Sequence, residues 1–121
     1  MNKLLEYLNI NNSILYLLAI ILLFPALFIN LGYLPLITDE PTRGIVALEM
    51  TLSDNYIVPT INGEFYYNKP PLYNWILILS AKVCGGFSEF ALRLPTVLAL
   101  LFFGLLIFLF TRKHLGNRVA I

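Results

Sequence analysis

Two apolar runs, one near each end of the chain, constrain it more than any other feature. Ile14 to Leu36 is apolar apart from Asn30 and two tyrosines. At about 1.5 Å per residue a helix over that run reaches about 34 Å, more than the ~30 Å hydrocarbon core of a bilayer. Leu94 to Phe110 is a second continuous apolar run, nearer the lower length limit, and Pro95 falls in its first turn, where a helix tolerates proline. The sequence therefore predicts an all-α membrane protein with a first span over about 14–36, an outer loop over 37–93, a second span over about 94–110 and a cytoplasmic end over 111–121. Pro25 should kink the first span without ending it. The run is too long for a signal-peptide core, and no small-residue cleavage site follows it.

Charge sets the expected orientation. Arg112, Lys113 and Arg118 follow the second run and Lys3 precedes the first, which places both termini in the cytoplasm. The segment between them, with six acidic and four basic residues, then faces outward. The sequon at Asn11–Ser13 falls on the wrong side and reads as chance. Only 12% of the 121 residues are charged and the net charge is +1. No basic patch exists to neutralise phosphates along a nucleic acid, so that partner class is excluded. The single cysteine, Cys84, has neither a disulfide partner nor metal-ligand spacing and reads as a small packing residue. His114, the only histidine, lies in the cytoplasmic charge cluster and reads as topogenic.

Two short helices are expected within the outer segment. Pro41 at a first helical position, acids just before it, and Ile45, Leu48 and Leu52 at helical spacing predict a helix over about 41–52. "YIVPTINGEFYY" reads as extended segments around an Asn–Gly turn. Leu72 to Val83 is apolar at almost every position but too short to cross, which predicts an interfacial helix closed by the glycines of "CGGF". Tyr66, Tyr67, Tyr73 and Trp75 suit headgroup depth.

Two places could carry chemistry. Asp39 and Glu40 stand directly after the first run, and two readings remain open for them. They can cap the helix that begins at Pro41, worth about 0.5 to 2 kcal/mol. Alternatively, Asp39 is a general base or electrostatic partner held near low dielectric. Arg43 can pair with either acid or bind an anion. Lys69 in "NKPP" is either a lysine that snorkels to water or a cation beside a helix N-terminus, an arrangement that favours phosphate. Two adjacent carboxylates fall short of the roughly six oxygens of a hard-cation site, so no metal or other cofactor is expected.

Taken in order, "TDEPTRGIVALEM", "IVPTINGEFYYNKPPLYNW" and "SEFALRLP" resemble the amino-terminal part of the bacterial ArnT-like branch of the PMT/ArnT glycosyltransferases, which have the GT-C membrane fold. The resemblance runs from about Ile37 to Leu98. It implies transfer of a sugar from a polyprenyl-phosphate donor to a lipid or protein glycan acceptor, on the outer side of the bacterial inner membrane. It also implies that Asp39 serves in catalysis and Lys69 contacts the donor phosphate. Glu40, as a second catalytic acid, and Arg43 and Tyr66, as substrate contacts, are carried over with them. One departure is local: relatives place an arginine where this chain has Thr42, one position before Arg43. Two spans and a loop cannot complete a substrate cavity, so further transmembrane helices of a longer enzyme are expected partners and this chain alone is expected to be inactive. The alternatives are a noncatalytic two-span protein that binds a lipid carrier or partner helices, and a hydrolase of lipid-linked sugar.

Overall fold

A computed structural model describes residues 12–115. Lys3, Arg118 and Asn11, which entered the topology and sequon readings, lie outside the described residues. The elements in order are helix α1 (Asn12–Phe28), helix α2 (Glu40–Leu52), the two-residue strands β1 (Thr60–Ile61) and β2 (Glu64–Phe65), helix α3 (Leu72–Cys84) and helix α4 (Glu89–Leu115). The fold is mostly helical. Residues 30–98 form one compact unit, and the described residues on either side of it belong to another.

The unit over 30–98 is built on two helices whose ends follow from local chemistry. α2 starts with Asp39 as N-cap and proline in its first turn. α3 starts after Pro71 and ends at Gly85, whose left-handed φ of 82° lets the Gly86 amide reach back to the Ala81 carbonyl at 2.8 Å. This is a Schellman closure. Between the helices, β1 and β2 pair antiparallel around Asn62 and Gly63, both at positive φ, as a two-residue hairpin turn requires. So small a hairpin is marginal by itself. Glu49, in α2, anchors it by accepting hydrogen bonds from the Thr60 hydroxyl at 2.7 Å and from the Asn62 and Gly63 amides.

The core lies where α2 meets α3. Val46, Ala47 and Met50 pack with Leu77 and Ile78, and with Leu92 from α4. The expected marker residues of α2 are not its buried face: Ile45 and Leu48 are more than a third exposed and Leu52 is 76% exposed. The helix is apolar on two sides; the inner one carries Gly44, Val46 and Ala47, which allow close approach, and the fully buried Met50. Gly44 is the extreme case, since a Cβ there would stand 2.9 Å from Leu92 Cδ1. Cys84 is exposed rather than packed, on the last turn of α3.

The two apolar runs depart from their expected limits. α1 ends at Phe28, and the chain turns over residues 29–34 instead of continuing as a helix to Leu36. Asn30, Gly32 and Pro35 are poor helix formers, and the carbonyls of Leu31, Leu34 and Pro35 are taken by a side chain described below. α4 begins five residues before the expected start because Ser88 caps it: its Oγ accepts from the Ala91 amide at 3.2 Å. Pro95 therefore lies inside the helix, not in its first turn. Having no N–H, it leaves the Ala91 carbonyl without its helical partner. Ser80 of α3 donates its hydroxyl to that carbonyl at 2.6 Å.

In the other unit, α1 and the α4 stretch from residue 99 expose their large side chains, among them Ile20, Phe24, Phe102 and Phe110, each at least 60% exposed. Among the described residues, α4 is the one helix both long and apolar enough to cross a membrane.

Candidate functional site

The site grows from the head of α2. Thr38, just before it, has φ 56°, a left-handed conformation that a β-branched residue rarely adopts. Asp39 occupies the N-cap position, yet its carboxylate makes no capping hydrogen bond. It accepts from the Lys69 ammonium instead, thirty positions along the chain. Glu40 does not cap the helix either: its carboxylate reaches back to accept from the Ile37 amide at 3.0 Å, an N–H that lies ahead of the helix.

Arg93, near the start of α4, is the most heavily committed polar side chain of the site. Its Nε and Nη2 donate to the two Glu40 oxygens at 2.9 and 2.7 Å, a forked pair. Its Nη1 donates to the Leu31 and Leu34 carbonyls at 3.1 and 2.8 Å, and Nη2 also to the Pro35 carbonyl at 2.9 Å. The hydrogen bond from Arg93 is the main reason the Glu40 carboxyl is held below its ordinary value; partial burial opposes the shift, and the Ile37 amide adds to it.

Arg43 lies one helical turn beyond Asp39. Its Nη1 donates to Asn74 Oδ1 at 3.3 Å, and its guanidinium carbon stands 5.4 Å from the Tyr73 ring centroid, within cation–π range. Asn74 is buried and spends its amide on Met50 Sδ. The Tyr73 hydroxyl shares a 2.8 Å hydrogen bond with Thr96 Oγ1.

These residues border one cavity of about 440 Å³. Asp39, Glu40, Arg43, Lys69 and Arg93 supply its charge, Tyr73 and Thr96 its neutral polar groups, and Leu31, Leu77, Leu92 and Val97 an apolar wall. Three cations against two carboxylates leave an excess of one positive charge. Glu40 is matched by Arg93 and Asp39 by Lys69, whereas the Arg43 hydrogen bond goes to a neutral amide. A cavity with a cationic rim and an apolar wall can hold an anionic headgroup joined to a hydrocarbon chain.

Of the residues singled out in the sequence, Asp39, Glu40, Arg43 and Lys69 come together here. Tyr66 does not border the cavity; it packs, half-buried, against the core. Arg93, Asn74 and Thr96 were missed. A usable signal existed for Arg93: an arginine directly ahead of a long apolar run must find partners where water is scarce.

The family model described as Dolichyl-phosphate-mannose-protein mannosyltransferase matches residues 68–121. An uncharacterized protein of Aquifex aeolicus is 34% identical over 104 residues, 85% of this chain and 21% of its own length. The undecaprenyl phosphate-alpha-4-amino-4-deoxy-L-arabinose arabinosyl transferase 2 of Proteus mirabilis is 35% identical over 80 residues, 66% of this chain and 14% of its own. The corresponding arabinosyl transferase of Shewanella sediminis is 32% identical over 102 residues, 79% of this chain and 18% of its own. The chain thus spans about a fifth or less of the length of these relatives. No solved structure matches it. Read with the cavity and its charged rim, these matches make the chain a member of the ArnT/PMT-like family of glycosyltransferases.

Proposed function

We propose that this chain is the amino-terminal portion of a GT-C glycosyltransferase that moves a sugar from a polyprenyl-phosphate donor to an acceptor on the extracytoplasmic side of a bacterial inner membrane. The observation that carries the reading is the meeting of Asp39 and Lys69 at one cavity with an apolar wall. Lys69 and Arg43 take the donor phosphate, and the wall takes the first isoprenoid units. Asp39 accepts the proton of the attacking acceptor hydroxyl. The new bond forms at the anomeric carbon as its bond to the phosphate oxygen breaks, and the charge left on the phosphate falls to the two cations. A contact aimed at developing charge is worth about 3 to 4 kcal/mol in the transition state. Glu40 stands beside this chemistry, tied to Arg93.

α1 and α4 are the two spans of this reading, with the unit over 30–98 outside and both termini in the cytoplasm. The 17 described residues of α1 reach about 26 Å, close to a hydrocarbon core of about 30 Å. The basic last turn of α4, with Arg112, Lys113 and His114, suits a cytoplasmic end.

The test expresses the full reading frame that contains this chain and supplies its membranes with a panel of labelled polyprenyl-phosphate sugars. Transfer that vanishes in Asp39→Asn supports the reading. Donor binding without transfer from any sugar would sink it in favour of a noncatalytic carrier protein, and release of free sugar into water would favour a hydrolase.

A further inference from the structure

We propose that Arg93 is a positioning residue: its guanidinium pins the chain on both sides of Asp39 and so fixes where the Asp39 carboxylate stands. The proposal rests on the transferase reading, which makes Asp39 the proton acceptor.

A guanidinium has five N–H donors in one plane, and the acceptors around Arg93 take all five. They fall into two groups along the chain. Leu31, Leu34 and Pro35 come before Thr38, and Glu40 comes immediately after Asp39. The side chain is only 14% exposed, so leaving a donor without a partner would be costly. Between the two groups lies Thr38 at φ 56°, a conformation that persists only where the surroundings impose it. Glu40 adds a third tie through the Ile37 amide.

Asp39, by contrast, has a side chain that is 68% exposed and is held by Lys69 alone. If Lys69 turns to a donor phosphate, only the backbone keeps Asp39 in place, and Arg93 fixes that backbone. Lysine is a poor substitute, because an ammonium has three donors in a tetrahedral arrangement, cannot reproduce the planar fork and leaves at least two of the five acceptors unserved.

Arg93→Lys and Glu40→Gln are made in the full reading frame. The second variant keeps the shape of the fork and the carbonyl contacts, and so guards against a folding failure in the first. We expect Arg93→Lys to lower kcat by about ten- to a hundredfold, the scale of a roughly 1 Å misplacement, with the donor KM within about twofold. Glu40→Gln should lower kcat several-fold in the same pattern. In an Asp39→Asn background, Arg93→Lys should cost less than about twofold more, because the group it positions is already gone. Wild-type kcat in both single variants overturns the proposal, as does full additivity with Asp39→Asn, which would mark Arg93 as a general fold clamp. Amide hydrogen exchange over residues 37–41 separates this failure from that of the transferase reading. If the unaltered protein transfers no sugar, faster exchange in Arg93→Lys still supports the pinning, and unchanged exchange overturns it.

Discussion

Asp39 and Glu40 are adjacent in the chain, yet they face different surroundings at two parts of the same cavity. At the rim, the Asp39 side chain is 68% exposed and meets the single ammonium of Lys69. Against the wall, Glu40 is 36% exposed and grips a guanidinium with both oxygens while also taking an amide. Exposed single-contact pairs contribute little to stability, about 0 to 1 kcal/mol, so the rim pair can exchange partners at small cost. The forked pair cannot, because every donor of its arginine is engaged. The contrast separates an exposed acid with one exchangeable partner from an acid that holds the scaffold, a distinction that sequence adjacency conceals.

Breaking the rim should have the largest effect. Asp39→Asn or Lys69→Ala should each reduce transfer at least about a hundredfold, read as initial rates with a polyprenyl-phosphate sugar. Equal losses in Glu40→Gln would erase the distinction between the two acids.

Acid should sharpen the contrast at the hairpin and the wall. Glu49 is held below its ordinary value of 4.5, chiefly by the Thr60 hydroxyl and, against the opposing desolvation, by the Gly63 and Asn62 amides. Glu40 is lowered as well, by Arg93 first. A carboxyl lowered by folding contributes stability that is complete above its unfolded value and is lost as pH falls through the folded one. The hairpin and the fork should therefore stay intact from about pH 6 to about pH 4.5 and loosen only below that. Amide exchange over residues 60–65 and 37–41 measures both, and loosening above pH 5 would contradict it.

The smallest effect tests the wall without touching either pair. Gly44→Ala sets a methyl 2.9 Å from Leu92 Cδ1, the mobile end of a side chain. Overpacking of about 1 kcal/mol is offset by roughly the same gain in helix propensity, so thermal stability and transfer should both stay close to those of the unaltered protein.

The parts legible in the sequence were those set by local chemistry. Pro41, the Asn62–Gly63 pair and Gly85 carry their conformations with them, and α2, α3 and the hairpin turn lie where those residues put them. The ends of the apolar runs were less legible because they depend on distant partners. α1 stops short of Leu36 where Arg93, some sixty residues away, takes the carbonyls. Pro95 sits deep in α4 because Ser88 caps that helix early and Ser80, from another helix, meets the Ala91 carbonyl. At the site, the sequence singles out Asp39, Glu40, Arg43 and Lys69, which the fold brings to one cavity, but it does not show that the two acids take different partners. Tyr66 could be placed at the substrate or in the core only by knowing which way its side chain leaves the hairpin.

The hold of Glu49 on the hairpin turn has a mechanical consequence. α2 carries Asp39 at its head and, ten residues or about 15 Å further on, the anchor of the loop that returns as the Lys69 arm. One stiff strut thus sets the origin of both charges of the rim pair, and a tilt of that strut would carry the Asp39 carboxylate and the root of the Lys69 arm along as passengers.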